Sequence, residues 1–287
     1  MLTGGDTRNV LKSSVVYPNG CKVANMKTAL YGHVTFLTQD SPPRIATCGG
    51  MDRNENNKKE CLVYKKGKWQ ERIVNNLPDK RTYSATARLD VGVFILGGYH
   101  TAITSVFLPA GSHSWVSGPR LPVAMSGACA ALISSHSFLI VHNKDVYEFD
   151  VREDGPISSA GWRGRGWWPQ LQVGRKYLGC AVLKKKFIVA GGYNYDYLKS
   201  TEIIDLEQRT IHFGSEMQKP RYSFHLLVIS GTLHALGGEY YDGSYHYLAD
   251  VEEFVEDSET WKPANKSLPA ARSRYGGVAV NRDLVCG

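Results

Sequence analysis

Short, mainly hydrophobic runs that end in two glycines recur along the whole chain. An early pair, Gly4-Gly5, opens the series, and His142-Asn143 after run 138–141 fits as a degraded copy. The other runs are 45–48, 93–96, 187–190 and 233–236, followed by Gly49-Gly50, Gly97-Gly98, Gly191-Gly192 and Gly237-Gly238. Runs of this length, rich in β-branched and aromatic residues between glycine and polar clusters, predict β-strands rather than helices.

The glycine pairs are regularly spaced. Their second positions fall at residues 5, 50, 98, 143, 192 and 238, so the intervals are 45, 48, 45, 49 and 46 residues, and Gly287 begins the next pair. Each interval also holds an aromatic or β-branched run, usually a tryptophan, and a run of small residues. A period of this size with several strands per repeat is typical of a propeller blade.

A tryptophan occupies a similar place in most repeats. A large apolar ring there can pack on the next blade while its N–H finds a carbonyl, so we expect these rings to be buried. The clear cases are Trp69, Trp115 and Trp261, with Trp162 or Trp167 in the fourth interval and Phe213 in the fifth.

This order of glycine pair, aromatic or glutamate-containing strand and tryptophan resembles the kelch repeat over nearly the whole chain. The resemblance implies an all-β, six-bladed kelch β-propeller with four antiparallel strands per blade, closed across the termini as a single domain over residues 1–287. Strands from 274–287 and from about 7–22 would share one composite blade. Because segment 1–3 duplicates the role of segment 284–286, only one of them can pair centrally.

Composition and charge exclude some kinds of partner. No run approaches the 18 apolar residues of a membrane span, and 34 basic against 27 acidic residues leave a net charge of only +7. The most basic run, Lys184–Lys186, lies between two hydrophobic runs and is interpreted as a solvated hairpin tip rather than a nucleic-acid site. We therefore expect neither membrane nor nucleic acid as a partner, and a domain that is monomeric on its own.

The six cysteines do not decide between a cytoplasmic and a secreted protein. No spacing suggests a zinc site. Cys21 and Cys61 are the best candidates for a disulfide, whereas Cys48, Cys129, Cys180 and Cys286 are interpreted as small buried apolar residues. Together with the glycosylation sequon Asn265-Lys266-Ser267, the cysteines keep a secreted protein possible, although a cytoplasmic one is favoured.

Two loops carry a functional signal. Segments 193–197 and 239–247 hold seven of the sixteen tyrosines, mixed with Gly, Ser, Asn and Asp as in a binding paratope. In kelch domains that capture peptides, residues after the glycine pair and on the loop entering the innermost strand face one mouth. The resemblance therefore implies Tyr99, Tyr193, Tyr240 and Arg274 as partner-binding residues and, more loosely, Arg81, Lys176 and Arg221. The composition of the tyrosine loops adds Tyr195, Tyr241 and Tyr245, and the basic segment around Arg274 adds Arg272.

The basic members of that set favour a protein partner that offers an acidic or phosphorylated segment. The alternative interpretation is that the arginines are structural and pair with backbone carbonyls around the channel. No metal-binding or nucleophile motif is present, so we expect no cofactor, no metal and no catalysis. The favoured function is a non-catalytic interaction domain, similar to the kelch substrate receptors of ubiquitin ligases or to actin-associated kelch proteins. The alternative is a secreted kelch protein, either an enzyme or a sugar-binding domain.

Overall fold

The computed structural model describes residues 1–5, 12–18, 20–151 and 161–286, which fall into two units. The first unit is Met1–Ser126 with Leu268–Gly287, and the second is Gly127–Ser267. Within the described residues each unit contains three antiparallel sheets of three or four strands, which we number as blades 1 to 6 along the chain, and the second unit also contains a two-stranded sheet. The expectation of a single domain stays a prediction.

The first unit holds blades 1 to 3. Blade 1 has the strand order β2 (Ser14–Val15), β1 (Leu2–Thr3), β25 (Gly276–Gly277). Blade 2 is β3 (Val34–Leu37), β4 (Ile45–Cys48), β5 (Cys61–Lys65) and β6 (Lys68–Glu71). Blade 3 is β7 (Ala85–Leu89), β8 (Gly92–Leu96), β9 (Ser105–Pro109) and β10 (Val116–Ser117).

The second unit holds blades 4 to 6. Blade 4 is β11 (Cys129–Leu132), β12 (Ser137–His142), β13 (Asp145–Asp150) and β14 (Gly161–Trp162). Blade 5 is β15 (Gly179–Leu183), β16 (Lys186–Ala190), β17 (Thr201–Asp205) and β18 (Ile211–Gly214). Blade 6 is β19 (His225–Ile229), β20 (Thr232–Leu236), β23 (Val251–Val255) and β24 (Thr260–Pro263). A separate hairpin, β21 (Glu239–Tyr241) and β22 (Tyr245–Tyr247), is inserted between β20 and β23.

These sheets confirm the predicted fold, a six-bladed β-propeller of antiparallel four-stranded blades, with three strands of blade 1 among the described residues. The predicted hydrophobic runs form the second strand of each blade, and every residue of β4 and β8 is buried. The only helix in the described part of the chain, α1 (Asp283–Cys286), has four residues, and no helix there could cross a membrane.

Blade 1 combines both ends of the described chain. Leu2 pairs with Val15 on one side and with Gly277 on the other, so β1 takes the central place. Residues 283–286, the competing candidate, form α1 instead, because β1 already occupies the pairing positions. The predicted partner strand at about 7–22 lies partly outside the described residues.

The three tryptophans predicted at blade contacts all have a bonded N–H, and two of them are fully buried. Trp69 is 3% exposed and its Nε1 donates to the Ala24 carbonyl at 3.0 Å, while Trp261 is 7% exposed and donates to Thr201 Oγ1 at 2.9 Å. Trp115 donates to the Asn75 carbonyl at 2.9 Å and packs on Phe36 of blade 2, but it is only partly buried.

The lysine run is a hairpin tip, as predicted. Lys184 and Lys185 form the turn between β15 and β16, and Lys186 begins β16. Their ammonium groups each lie 2.7 Å from a carboxylate, of Glu256, Glu207 and Glu259 respectively. The positive charge of this run is therefore compensated within the second unit.

The cysteine predictions are wrong. All six cysteines are paired, as Cys21–Cys286, Cys48–Cys61 and Cys129–Cys180. Cys48 and Cys61 lie directly opposite each other on β4 and β5, which leaves Cys61 no access to Cys21. Cys129 begins β11, and Cys180 is the second residue of β15. These are the first strands of neighbouring blades, and the two Cα atoms lie 5.8 Å apart. The two residues hold equivalent positions in adjacent repeats, and this equivalence brings their sulfur atoms together. We had interpreted both as small buried apolar residues.

Replacing Cys21 and Cys286 with serine is expected to lower the free energy of unfolding by roughly 2–4 kcal/mol, because this bond links residues 265 positions apart and restricts the unfolded chain. Urea unfolding of the parent, both single variants and the double variant measures it. The two single variants and the double variant should be equally destabilised, since either substitution breaks the bond. An unchanged urea midpoint would contradict the prediction.

Candidate functional site

Three arginines of the predicted binding set are structural. Arg81 and Arg221 donate through Nη1 to the carbonyls of Gly97 and Gly237, at 3.0 and 2.6 Å. Arg272 donates to the Gly4 carbonyl at 3.3 Å in the same way. The exposed fractions of Arg81, Arg221 and Arg272 are 2%, 0% and 0%, so no partner reaches them and their assignment to binding is corrected.

These side chains satisfy the carbonyl of the first glycine in the pair of their own blade. A backbone oxygen left buried without a donor costs free energy, and the guanidinium supplies several donors in a fixed geometry. The glycine pair therefore comes with a buried arginine at four places, the fourth being Arg175, whose Nη1 donates to the Gly191 carbonyl at 3.0 Å.

Sequence reasoning missed Arg175 by one residue and placed Lys176 in its position. Lys176 is exposed, so it remains available to a partner. A signal for the correct register exists in the sequence: a buried leucine or methionine stands four positions before each of these arginines. The pairs are Leu77 and Arg81, Leu171 and Arg175, Met217 and Arg221, and Leu268 and Arg272.

A left-handed residue follows two positions after each buried arginine. These residues are Tyr83, Tyr177, Ser223 and Arg274, with φ between 52° and 56°, and Gly32 and Gly127 take the same place in blades 2 and 4. Backbone bonds link them from blade to blade inside each unit. Gly32 N–H donates to the Arg274 carbonyl at 2.5 Å, and Ser223 N–H donates to the Tyr177 carbonyl at 2.9 Å. The half-buried Arg274 is thus held at its backbone, and its binding role stays a prediction.

Loops after the glycine pair lie against loops that enter the innermost strand, as strand alternation predicts. In blade 5, Tyr193 N–H donates to the Lys176 carbonyl at 2.9 Å. In blade 6, Glu239 N–H donates to the Tyr222 carbonyl at 3.0 Å. The structure therefore brings Lys176 and Tyr193 of the predicted set together.

Four tyrosines form a contact cluster in the second unit. The Tyr222 ring centroid lies 4.8 Å from that of Tyr177, 5.7 Å from that of Tyr197 and 6.2 Å from that of Tyr193. Tyr193 is 41% exposed and Tyr195, beside it, is 96% exposed. The cluster holds the exposed Tyr193 against packed neighbours, so this ring has little further side-chain entropy to lose on binding.

The β21–β22 hairpin carries the second group of aromatic rings. Tyr240 stacks on His246 at 4.6 Å with 13° between the planes, and Tyr241 lies 5.0 Å from Tyr245 across the hairpin. Tyr241 and Tyr245 are 48% and 62% exposed. The turn signal Asp242-Gly243 stands in the sequence, but we interpreted the segment only as a loop.

The cluster and the hairpin are continuous through the backbone bonds between Tyr222 and Glu239, at 2.9 and 3.0 Å. We call them together the aromatic surface of blades 5 and 6. Its members are Tyr193, Tyr195, Tyr197, Tyr222, Tyr240, Tyr241 and Tyr245.

The charge of this surface is mixed rather than basic. Lys176 is exposed, but so are Asp196 and Asp242 on the two tyrosine loops. His246 Nε2 lies 2.7 Å from Asp242 Oδ1. With Arg221 buried, Lys176 is the one exposed basic residue of the predicted set in blades 5 and 6.

The first unit contributes one exposed member of the predicted set. Tyr99 is 55% exposed, packs edge-on to His100 at 4.5 Å and donates its N–H to the Thr82 carbonyl at 2.7 Å. It stays a prediction that Tyr99 and the aromatic surface face the same mouth of the propeller. Among the described residues no three His, Cys, Asp or Glu side chains are grouped to hold a metal ion.

The fold defines a propeller protein, and known structures agree. The solved structure of YjhT superimposes with a TM-score of 0.69 over 86% of this chain and 88% of that protein, at 11% sequence identity. This likeness supports the fold alone. No protein-family model matches the sequence.

Sequence relatives then identify the repeats. A kelch repeat and BTB domain-containing protein of Ectromelia virus (strain Moscow) is 34% identical over 98 residues, 33% of this chain and 17% of the viral protein. A putative F-box/kelch-repeat protein of Arabidopsis thaliana is 33% identical over 92 residues, 32% of this chain and 36% of that protein. Alpha-scruin of Limulus polyphemus is 25% identical over 148 residues, 49% of this chain and 15% of scruin. The chain is a six-bladed β-propeller whose repeats are similar to those of kelch-repeat proteins, and the matches span 36% or less of each relative's length.

Proposed function

We propose that this propeller is a non-catalytic protein-interaction domain, and that the aromatic surface of blades 5 and 6 binds an extended segment of a partner protein. The observation that carries the proposal is a group of exposed tyrosines, Tyr193, Tyr195, Tyr241 and Tyr245, on loops whose backbones are held by hydrogen bonds within and between blades 5 and 6. Tyrosine offers a large contact area and a hydroxyl at low entropy cost, which is why it dominates binding hot spots. Relatives named for BTB or F-box domains beside kelch repeats are consistent with a substrate-receptor role.

The chemistry of the segment follows from the charges. Asp196 and Asp242 would repel a phosphorylated segment, and Lys176 can take one carboxylate. We therefore propose a segment that offers apolar or aromatic side chains, with at most one acidic residue near Lys176. An acidic or phosphorylated segment, expected when Arg221 was counted as exposed, is the competing possibility.

Peptides selected from a random displayed library against this chain should lose binding when Tyr193 or Tyr245 is replaced by alanine. We expect Kd, measured by calorimetry, to rise roughly tenfold or more for each variant, because each substitution removes an exposed aromatic anchor. Phe213→Ala is the matched control, since Phe213 is a comparably exposed ring (49%) on outer strand β18 of blade 5, and it should leave Kd unchanged.

The salt dependence of Kd distinguishes an apolar or aromatic segment from an acidic or phosphorylated one. Binding through aromatic contacts should change little between low and high ionic strength, whereas ion pairs at a surface are screened. A Kd that rises steeply with salt and falls when the peptide is phosphorylated would contradict the neutral segment. Selected peptides that bind the Tyr193 and Tyr245 variants as tightly as the parent would contradict the site itself.

A further inference from the structure

The six cysteines and one exposed asparagine point to the compartment in which this chain matures. We propose that the chain folds in an oxidising compartment that also attaches N-linked glycans, where it gains three disulfides and an oligosaccharide on Asn265. This inference does not depend on the proposed binding surface. It replaces the cytoplasmic expectation.

Complete pairing of the cysteines is the first observation. The three disulfides join different parts of the fold. Cys48–Cys61 joins opposed residues of one hairpin, Cys129–Cys180 joins the first strands of adjacent blades, and Cys21–Cys286 joins the two ends of the first unit. A protein kept in the reducing cytosol has no reason to place all its thiols in pairs, since glutathione and thioredoxin hold them reduced there.

The sequon is the second, independent observation. Asn265, Lys266 and Ser267 are all exposed in the loop after β24. The loop is anchored on both sides, because Ala264 N–H donates to the Val251 carbonyl at 2.9 Å and Leu268 is buried. A glycan on Asn265 therefore projects into solvent without disturbing a strand, as an N-linked acceptor must.

Disulfide formation and N-glycosylation each use a co-reactant of known chemical class. For each disulfide, two cysteine thiols pass two protons and two electrons to the disulfide of a thiol oxidase, which becomes a dithiol. At Asn265, the side-chain nitrogen bonds to C1 of an oligosaccharide carried on a polyprenyl pyrophosphate. The bond from C1 to the pyrophosphate oxygen breaks, the amide loses one proton, and the lipid pyrophosphate leaves.

The full chain, directed into the secretory pathway of eukaryotic cells, tests both parts. We expect peptide mass spectrometry without reduction to find the three linked pairs 21–286, 48–61 and 129–180. Peptide N-glycosidase should shift the electrophoretic mobility of the parent and of Ser267→Thr, which keeps the sequon. Asn265→Gln should migrate like the deglycosylated parent and secrete equally well, because the side chain is exposed.

Two results would overturn the proposal. One is secreted, folded protein whose Asn265 carries no glycan in either the parent or the Ser267→Thr variant. The other is chain from a reducing cytosol that titrates with six free thiols and melts at the same temperature as the secreted form, because the disulfides would then contribute nothing to the fold.

Discussion

Replacing Glu202 with alanine is expected to lower the free energy of unfolding by about 3–5 kcal/mol, because it leaves a buried charge without its partner. Glu202 and Arg175 are both fully buried, and their Oε1 and Nη2 atoms lie 2.6 Å apart. Glu202 also accepts the backbone N–H groups of Gln172 and Val173, at 2.6 and 3.1 Å. Urea unfolding followed by tryptophan fluorescence measures the loss.

The size of this effect follows from burial rather than from the ion pair as such. Burial lowers the pKa of the Arg175 guanidinium, and the Glu202 carboxylate opposes that shift. Arginine stays protonated nonetheless, so removing Glu202 leaves a desolvated cation next to the carbonyls of Gly191 and Ser200.

An exposed pair on the same blade is the matched control. Glu207 lies 2.7 Å from Lys185, but the side chains are 57% and 70% exposed. Glu207→Ala should therefore cost far less than Glu202→Ala, since water and salt screen such a pair. Equal effects of the Glu202 and Glu207 substitutions would contradict the argument that burial of Arg175 sets the cost of losing its partner.

The blades could be predicted because their turns leave a direct trace in the sequence. Gly49 and Gly50 have φ of 71° and 87°, and a Cβ on Gly49 would lie 2.5 Å from the Arg81 carbonyl oxygen. Only glycine meets both demands at low cost, so the pair recurs at every blade that keeps this turn. In blade 4 the second position is Asn143 with φ of 57°, the residue type that best tolerates glycine's conformation.

The candidate site could be predicted only in part, because residues next to each other in the sequence differ in burial. Arg175 is buried and Lys176 exposed, and the repeat alignment did not resolve this one-residue difference. The disulfides depend on which strands face each other, so Cys21 and Cys61 looked equivalent although Cys61 lies opposite Cys48. The tyrosine loops were identified by composition alone, and that signal marked exposed residues correctly at Tyr193, Tyr195, Tyr241 and Tyr245.

Trp69→Ala is expected to destabilise the fold by about 3–5 kcal/mol, through lost burial and the cavity that remains. The ring is 3% exposed, packs edge-on to Tyr64 at 5.4 Å, and its Nε1 bonds to the Ala24 carbonyl and Ser14 Oγ at 3.0 and 3.2 Å. These two acceptors belong to the blade 1 region while Trp69 belongs to β6 of blade 2, so the substitution loosens one blade from the next.

Trp115→Ala supplies the comparison within the same unit. Its ring is half-buried, lies 6.0 Å from that of Phe36 and donates its Nε1–H to the Asn75 carbonyl. Because less apolar area returns to water, the loss should be clearly smaller than for Trp69. Thermal unfolding of the two variants beside the parent decides the matter: if Trp115→Ala melts as low as Trp69→Ala, burial of the ring is not what joins these blades.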